Sequence, residues 1–331
     1  AQQLLQHSKI MVLLVHYLWM RLRIVLWRRI IMELKETHTI EAACDFYVRT
    51  PKYRALSYRS KKDYDYNLLR VCKTKVQNDK QLGNIKLRDL RFKHVTVAYD
   101  KWLTDVGLRQ ANYMTTCLSI VLNTAIRHEA LVTNPVALVQ RTKDKIRKVR
   151  WTDAQVITFL DTAYSQWKWR SIGLILHMAY EWAQRVGDMR TLKWDNLDLG
   201  ARTLVLEQSK RRAEVKLPID DSLCKMLTKQ QEDFGFQQYV APSVEPHNGV
   251  YRPYPSGDIH KLVNEVKAAA NLPLEITAMD LRRTGITQLV EGGADAFGIM
   301  QVSGHSNPQS VKPYLVNTLT GATNALANRK K

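Results

Sequence analysis

The chain has 331 residues, 45% hydrophobic and 24% charged, a balance that excludes a disordered or fibrous protein and provides for two domains, each with its own core. Against 31 Asp and Glu stand 50 Lys and Arg, a formal charge of +19 that favours a polyanionic partner, either nucleic acid or an anionic membrane. Cys44, Cys72, Cys117 and Cys224 form no CxxC pair and have no His or acidic cluster at metal-ligand spacing. They read as reduced thiols of a cytoplasmic protein that needs no structural metal.

From Ile10 to Met32 the chain is rich in Leu, Ile, Val and Trp, but Arg21, Arg23, Arg28 and Arg29 interrupt it before the roughly 20 apolar residues of a spanning helix accumulate. Arginines that follow the apolar run also fit a signal peptide poorly. Met32-Glu33-Leu34-Lys35-Glu36 looks like an ordinary domain start. Residues 1–31 are therefore expected to be an extension outside the fold, and its place in the natural reading frame is open. A basic amphipathic helix on a membrane surface is the competing reading.

Residues 32–140 show a helical period almost throughout, as in Ile40-Phe46-Tyr47 and Tyr66-Leu69-Val76. A turn at Gly83-Asn84 leads past Leu87, Leu90 and Phe92 to a helix carrying Val95, Val97, Tyr99, Trp102 and Leu103. A second helix, from Gln110 to Glu129, carries Met114, Leu118, Val121, Leu122, Ala125 and Ile126. Asn134-Pro135 then breaks the pattern. Residues 141–150 hold six basic side chains offset only by Asp144, and they read as a linker. A solvated tether and a strap that tracks a phosphate backbone both fit it.

Residues 151–331 form the second domain. Thr152-Asp153 caps a helix with Val156, Ile157 and Leu160, and an apolar helix follows from Trp169 to Trp182. The period then changes: residues 203–206 and 213–218 read as two strands of a hairpin with Lys210-Arg211-Arg212 at its turn. Pro242, Pro246, Pro253 and Pro255 mark an irregular stretch before helices resume. The predicted fold is mainly α with a small antiparallel sheet, an N-terminal helical domain followed by a mixed α/β domain.

Four segments of the second domain belong together: Glu181-Trp182-Ala183-Gln184-Arg185-Val186-Gly187-Asp188, Gln208-Ser209-Lys210, Met279-Asp280-Leu281-Arg282-Arg283-Thr284, and Gly304-His305 followed nine residues later by Tyr314. Each alone has an ordinary reading as a surface pair, a solvated lysine or a packed tyrosine. In this order and spacing they resemble the tyrosine recombinase (phage integrase) family. Arg185 falls on the family's first arginine, Lys210 on its hairpin lysine, Arg282 on its second arginine, His305 on its later histidine and Tyr314 on its nucleophile. Leu192-Lys193-Trp194-Asp195 looks like the usual continuation after the first arginine, and residues 36–140 resemble the core-binding domain.

The resemblance implies an enzyme that cuts and rejoins double-stranded DNA through a 3′-phosphotyrosine, as an integrase of a phage or mobile element. It further implies a homotetramer on two duplexes, with the segment from Val316 to Lys331 exchanged between neighbours, in the cytoplasm of a bacterial or phage-infected cell, at the nucleoid. An accessory DNA-bending protein is left open. Because phosphotyrosine conserves the bond energy, no cofactor is expected.

The chemistry accounts for the residue types. A phosphodiester needs its nonbridging oxygens neutralised, a nucleophile activated and a leaving oxygen protonated. Guanidinium forks suit the first task, assigned to Arg185 and Arg282. A phenol, with an ordinary pKa of about 10, attacks phosphorus once neighbouring cations or a base draw off its proton. By resemblance Lys210 protonates the leaving 5′ oxygen and His305 hydrogen-bonds the phosphate, while Asp188 braces the arginines or caps its helix. Two positions depart from the pattern. Met279 stands where the family has histidine, and a thioether cannot shuttle protons, so Asp280 and Lys210 become candidates to compensate. Pro313 disfavours helix at Lys312 and predicts a new helical turn at Tyr314. A non-catalytic DNA-binding protein on the same fold is the runner-up function, with Met279 in its favour.

Overall fold

Apolar side chains at helical spacing close around two separate cores, one in a unit that ends at Ile146 and one in a unit that begins at Arg147. The computed structural model describes residues 33–76, 79–144, 147, 149–210, 212–314, 323, 326 and 327. The expectations for residues 1–31, and for nearly all of Val316 to Lys331, lie outside them.

In the first unit the helices are α1 (Ile40–Tyr47), α2 (Pro51–Arg54), α3 (Tyr58–Lys73), α4 (Phe92–Val106) and α5 (Leu108–Arg127). Thr39, Thr50 and Ser57 start the first three by accepting a backbone N–H of the first turn. Gly107, at φ 80°, lets the chain reverse between α4 and α5 without a Cβ penalty. Val95, Met114, Leu118, Val121 and Leu122 are buried on the predicted stripes, whereas Val97 is exposed, being out of phase with them. Asn134 accepts the N–H of Val136 and donates to Ser119 and Asn123, so the helical pattern gives way to a 3-10 turn at Pro135–Leu138.

The basic run is more closely tied than a solvated tether. Arg141 donates to Thr116 Oγ1 at 2.8 Å, the Thr142 carbonyl accepts from Asn112, and Asp144 pairs with Arg109 at 2.5 Å, all within the first unit. Within the second unit Arg147 pairs with Asp280 at 2.9 Å and Arg150 with Glu291 at 2.7 Å. The second unit therefore starts at Arg147 rather than at Trp151, because Arg147 docks on it.

The second unit opens with α6 (Asp153–Tyr164), for which Thr152 and Gln155 form a capping box. The next helix, α7 (Trp167–Glu181), has an unbroken buried run from Trp169 to Ala179, since other helices surround it. After the short α8 (Val186–Arg190) come β1 (Leu197–Asp198), β2 (Thr203–Glu207) and β3 (Glu214–Pro218), in an antiparallel sheet of order β1-β2-β3. The predicted hairpin is present in the register Leu206 to Val215, with Leu204, Leu206, Val215 and Leu217 turned inward. β1 escaped the sequence reading because two residues display no period. Helices α9 (Asp221–Phe234), α10 (Ser256–Ala269), α11 (Ala278–Glu291) and α12 (Ala296–Ser303) complete the unit. α11 lies close to the end of α7: a Cβ on Gly285 would stand 2.9 Å from the Tyr180 carbonyl. That approach brings Arg282 to the turn that follows α7.

Candidate active site

Four separate segments supply the site. Ala183, buried in the turn after α7, adopts a left-handed φ of 48° and accepts from Arg282 Nη1 at 2.9 Å. The other guanidinium arm of Arg282 donates to the Ser303 carbonyl at 2.7 Å. Burial, then the neighbouring Arg185 cation, press the pKa of Arg282 down to about 10, while Tyr314 and Asp188 beside it favour the charged form. It stays protonated at neutral pH.

Arg185, the residue before α8, donates to Gln208 Oε1 at 2.9 Å and lies 3.6 Å from Asp188 Oδ2. The other carboxylate oxygen of Asp188 accepts from the backbone N–H of Ser209 at 3.2 Å and from its hydroxyl. Asp188 thus braces Arg185 against the hairpin and caps no helix. The hydroxyl of Ser303 donates to the Ile299 carbonyl at 2.5 Å and meets His305 Nδ1 at 2.6 Å, so the imidazole nitrogen is the donor in that pair. The His305 ring lies 5.7 Å from the Tyr314 ring, centroid to centroid. On Tyr314 also sits the Arg283 guanidinium, 5.4 Å from the ring centre, and Arg283 reaches the Pro313 carbonyl at 3.4 Å.

Arg185, Arg282, Asp188, His305 and Tyr314 therefore gather in one place, and Lys210 and Met279 are exposed side chains with no contact to this group seen among the described residues. Lys210 is exposed on the hairpin turn, two residues after the buried Gln208; Arg211 is outside the described residues. Met279 is 79% exposed on the first turn of α11. Lys312, Pro313 and Tyr314 share one 3-10 turn, closed by the Tyr314 N–H on the Val311 carbonyl, so Lys312 is helical despite the proline after it.

The Asp280 carboxylate, a candidate to compensate for Met279, is engaged on both sides. Its carboxylate accepts from the Thr277 N–H and hydroxyl, at 2.9 and 2.8 Å, and from Arg147. Burial works to raise its pKa, but the hydrogen bonds from Arg147 and Thr277 outweigh it and hold the group below the usual carboxylate range. A carboxyl with a depressed folded pKa stabilises the fold above its unfolded pKa, and that stabilisation is lost as pH falls through the folded value. Asp280→Asn is expected to lower Tm at pH 7, with the gap to the parent closing below about pH 4. Thermal melts across pH 3–7 check this, and a gap constant with pH would refute it.

Sequence reading assigned no role to Gln184, Gln208, Ser303, Gly304 and Arg283, although they stand in or beside the segments that carry the resemblance. Each is next to, or two residues from, a predicted site residue, which is the signal they carry. Gly304 adopts φ 65°, and a Cβ there would fall 2.5 Å from the Gln208 amide nitrogen.

Residues 150–319 match the model of the Phage integrase family. The chain belongs to this family. The integrase of Enterobacteria phage 434 is 24% identical over 201 residues, covering 59% of this chain and 54% of that protein. The chain thus spans about half the length of the curated relatives it matches. Among solved structures, a lambda integrase tetramer bound to a Holliday junction superposes with a TM-score of 0.67 at 20% identity, covering 84% of this chain and 77% of that one. The Tn1549 transposon integrase in complex with circular intermediate DNA gives 0.70 at 15% identity, covering 87% and 99%. At such identities the likeness concerns the fold. It bears out the expected class, a mainly helical chain with a small antiparallel sheet.

Proposed function

We propose that this member of the phage integrase family is a site-specific DNA recombinase that cuts and rejoins strands through a covalent bond between Tyr314 and a 3′ phosphate. The gathering of Tyr314, His305 and two arginines from segments far apart in sequence is the observation that carries the reading. In the cleavage step Tyr314 Oη bonds to phosphorus while the bond from phosphorus to the 5′ oxygen breaks. The phenol gives up one proton and the leaving oxygen takes one. Arg185 and Arg282 neutralise the nonbridging oxygens, His305 hydrogen-bonds them, and Lys210 delivers the proton from its exposed turn. Rejoining is the reverse step, with a 5′ hydroxyl as nucleophile.

Double-stranded DNA is the partner, in keeping with the charge of +19. The working assembly is a homotetramer on two duplexes, a reading supported by the lambda integrase tetramer bound to a Holliday junction. The N-terminal helical unit grips the duplex as a core-binding domain.

The test uses the full chain and a nicked suicide duplex carrying a site the protein has been shown to bind. A covalent protein–DNA adduct on a denaturing gel, mapped by peptide analysis to Tyr314, is the expected result. Binding without an adduct would overturn the reading in favour of a non-catalytic DNA-binding protein. Met279→His is expected to preserve or raise the single-turnover cleavage rate, because an exposed position tolerates imidazole and a positioned acid–base group contributes about 10²–10⁴-fold where it is used. A clear loss of rate would show a site rebuilt around methionine.

A further inference from the structure

Gln184 and Gln208 are both fully buried side chains, on the turn after α7 and at the end of β2, and neither belongs to the reacting set above. Gln208 Nε2 donates to Gln184 Oε1 at 2.6 Å and to the Ser303 carbonyl at 2.9 Å, and Gln208 Oε1 accepts from Arg185 at 2.9 Å. Gln184 Nε2 donates in turn to the carbonyls of Trp182 at 2.8 Å and Val302 at 2.6 Å. Every donor of both amides is engaged, so neither can flip without setting donor against donor. The Ser303 carbonyl also accepts from Arg282. One carbonyl therefore holds both arginines, Arg282 directly and Arg185 through Gln208. Gly304 leaves the room that this contact needs, since any Cβ there would collide with the Gln208 amide.

We infer that Gln208, held by Gln184, is a positioning residue for the arginine clamp of the proposed recombinase reaction, and that it is neutral for a reason. Asp188 already sets one carboxylate 3.6 Å from Arg185; a second at this place would hold the guanidinium as firmly, yet it would cancel the cation that must face the phosphate. An amide oxygen orients the guanidinium and leaves its charge for the substrate. Gln208 also closes the base of the turn that carries Lys210: its N–H donates to the Ala213 carbonyl at 2.8 Å and its carbonyl accepts from Arg212 at 2.9 Å. Movement of the lysine tip is thereby confined to the few residues beyond a base anchored on Arg185.

The inference rests on the recombinase reading, and single-turnover cleavage of the nicked suicide duplex tests it. For Gln208→Met the first-order rate at saturating DNA should fall by about 10- to 100-fold while Kd for the site shifts less than about threefold. Gln184→Met, which does not touch Arg185, should lose less. A second readout replaces one nonbridging oxygen of the scissile phosphate by a methyl group, which removes the charge the clamp neutralises. On that methylphosphonate the Gln208→Met defect should shrink at least about fivefold, whereas a general loss of structure would persist undiminished. Should Gln208→Met fail to fold, the near-isosteric Gln208→Glu decides: it should cleave more slowly and bind more weakly, because Arg185 is neutralised. A parent that forms no adduct would overturn the recombinase reading and the relay with it. A parent that forms adduct, beside variants cleaving at its rate or a defect equal on both substrates, would overturn the relay alone.

Discussion

Under the proposed mechanism Tyr314→Phe should abolish the covalent adduct, a fall of at least about 10⁴-fold, because it removes the oxygen proposed to bond to phosphorus. Phenylalanine loses the hydroxyl's hydrogen bond with Arg282 but keeps the contacts that hold the ring. His305 lies 5.7 Å away, Arg283 covers one side, and Val311 and Ile286 belong to the small cluster against which the ring packs. The variant should therefore fold, melt within a few degrees of the parent, and bind its DNA site with a Kd changed less than about threefold. Gel shift and denaturing-gel assays on the same suicide duplex separate the two properties. Adduct at parental yield would place the nucleophile elsewhere in the chain, and loss of binding together with adduct would reduce Tyr314 to a packing residue.

The second large effect belongs to Arg282. Arg282→Met should lower the cleavage rate by about 10³-fold or more, the scale on which fixed donors to a transition-state oxygen act. Stability should respond far less. The variant strands the Ala183 carbonyl, which costs about 1–3 kcal/mol, while the Ser303 carbonyl keeps its bond from Gln208; it also removes a buried cation that is pressed against Arg185. Arg282→Lys distinguishes charge from geometry. An ammonium cannot span two carbonyls and still present a fork to phosphate, so lysine should recover less than about tenfold of the loss. Near-parental cleavage by the lysine variant would mean that charge alone suffices and that the two carbonyl contacts are incidental.

Much of the architecture was legible along the chain because its causes are local. The stripes of α4 and α5, the helix cap at Thr152, the break at Asn134-Pro135 and the alternating β2–β3 hairpin all arise between residues a few positions apart. The candidate nucleophile and its arginines were also legible, though only as an ordered set. A single Tyr314, Arg282 or His305 has an ordinary structural reading, whereas their order matches one demanding reaction.

The roles of the neighbours were decided in three dimensions. Asp280 directly follows Met279 in sequence and was a candidate to compensate for it; only the fold shows that Arg147 and Thr277 hydrogen-bond its carboxylate. The basic run around Arg147 divides between the two units, because each arginine finds its partner in a distant segment: Asp280 lies 133 residues from Arg147. Gln184, Gln208 and Ser303 show no period, charge or motif of their own. They matter because the Ser303 carbonyl meets Arg282 across 21 residues and Gln208 across 95, and no window read along the chain spans such distances. The chemical parts of the site are therefore written in the sequence, while their charge state and fixed orientation come from burial and hydrogen bonding that only the folded chain creates.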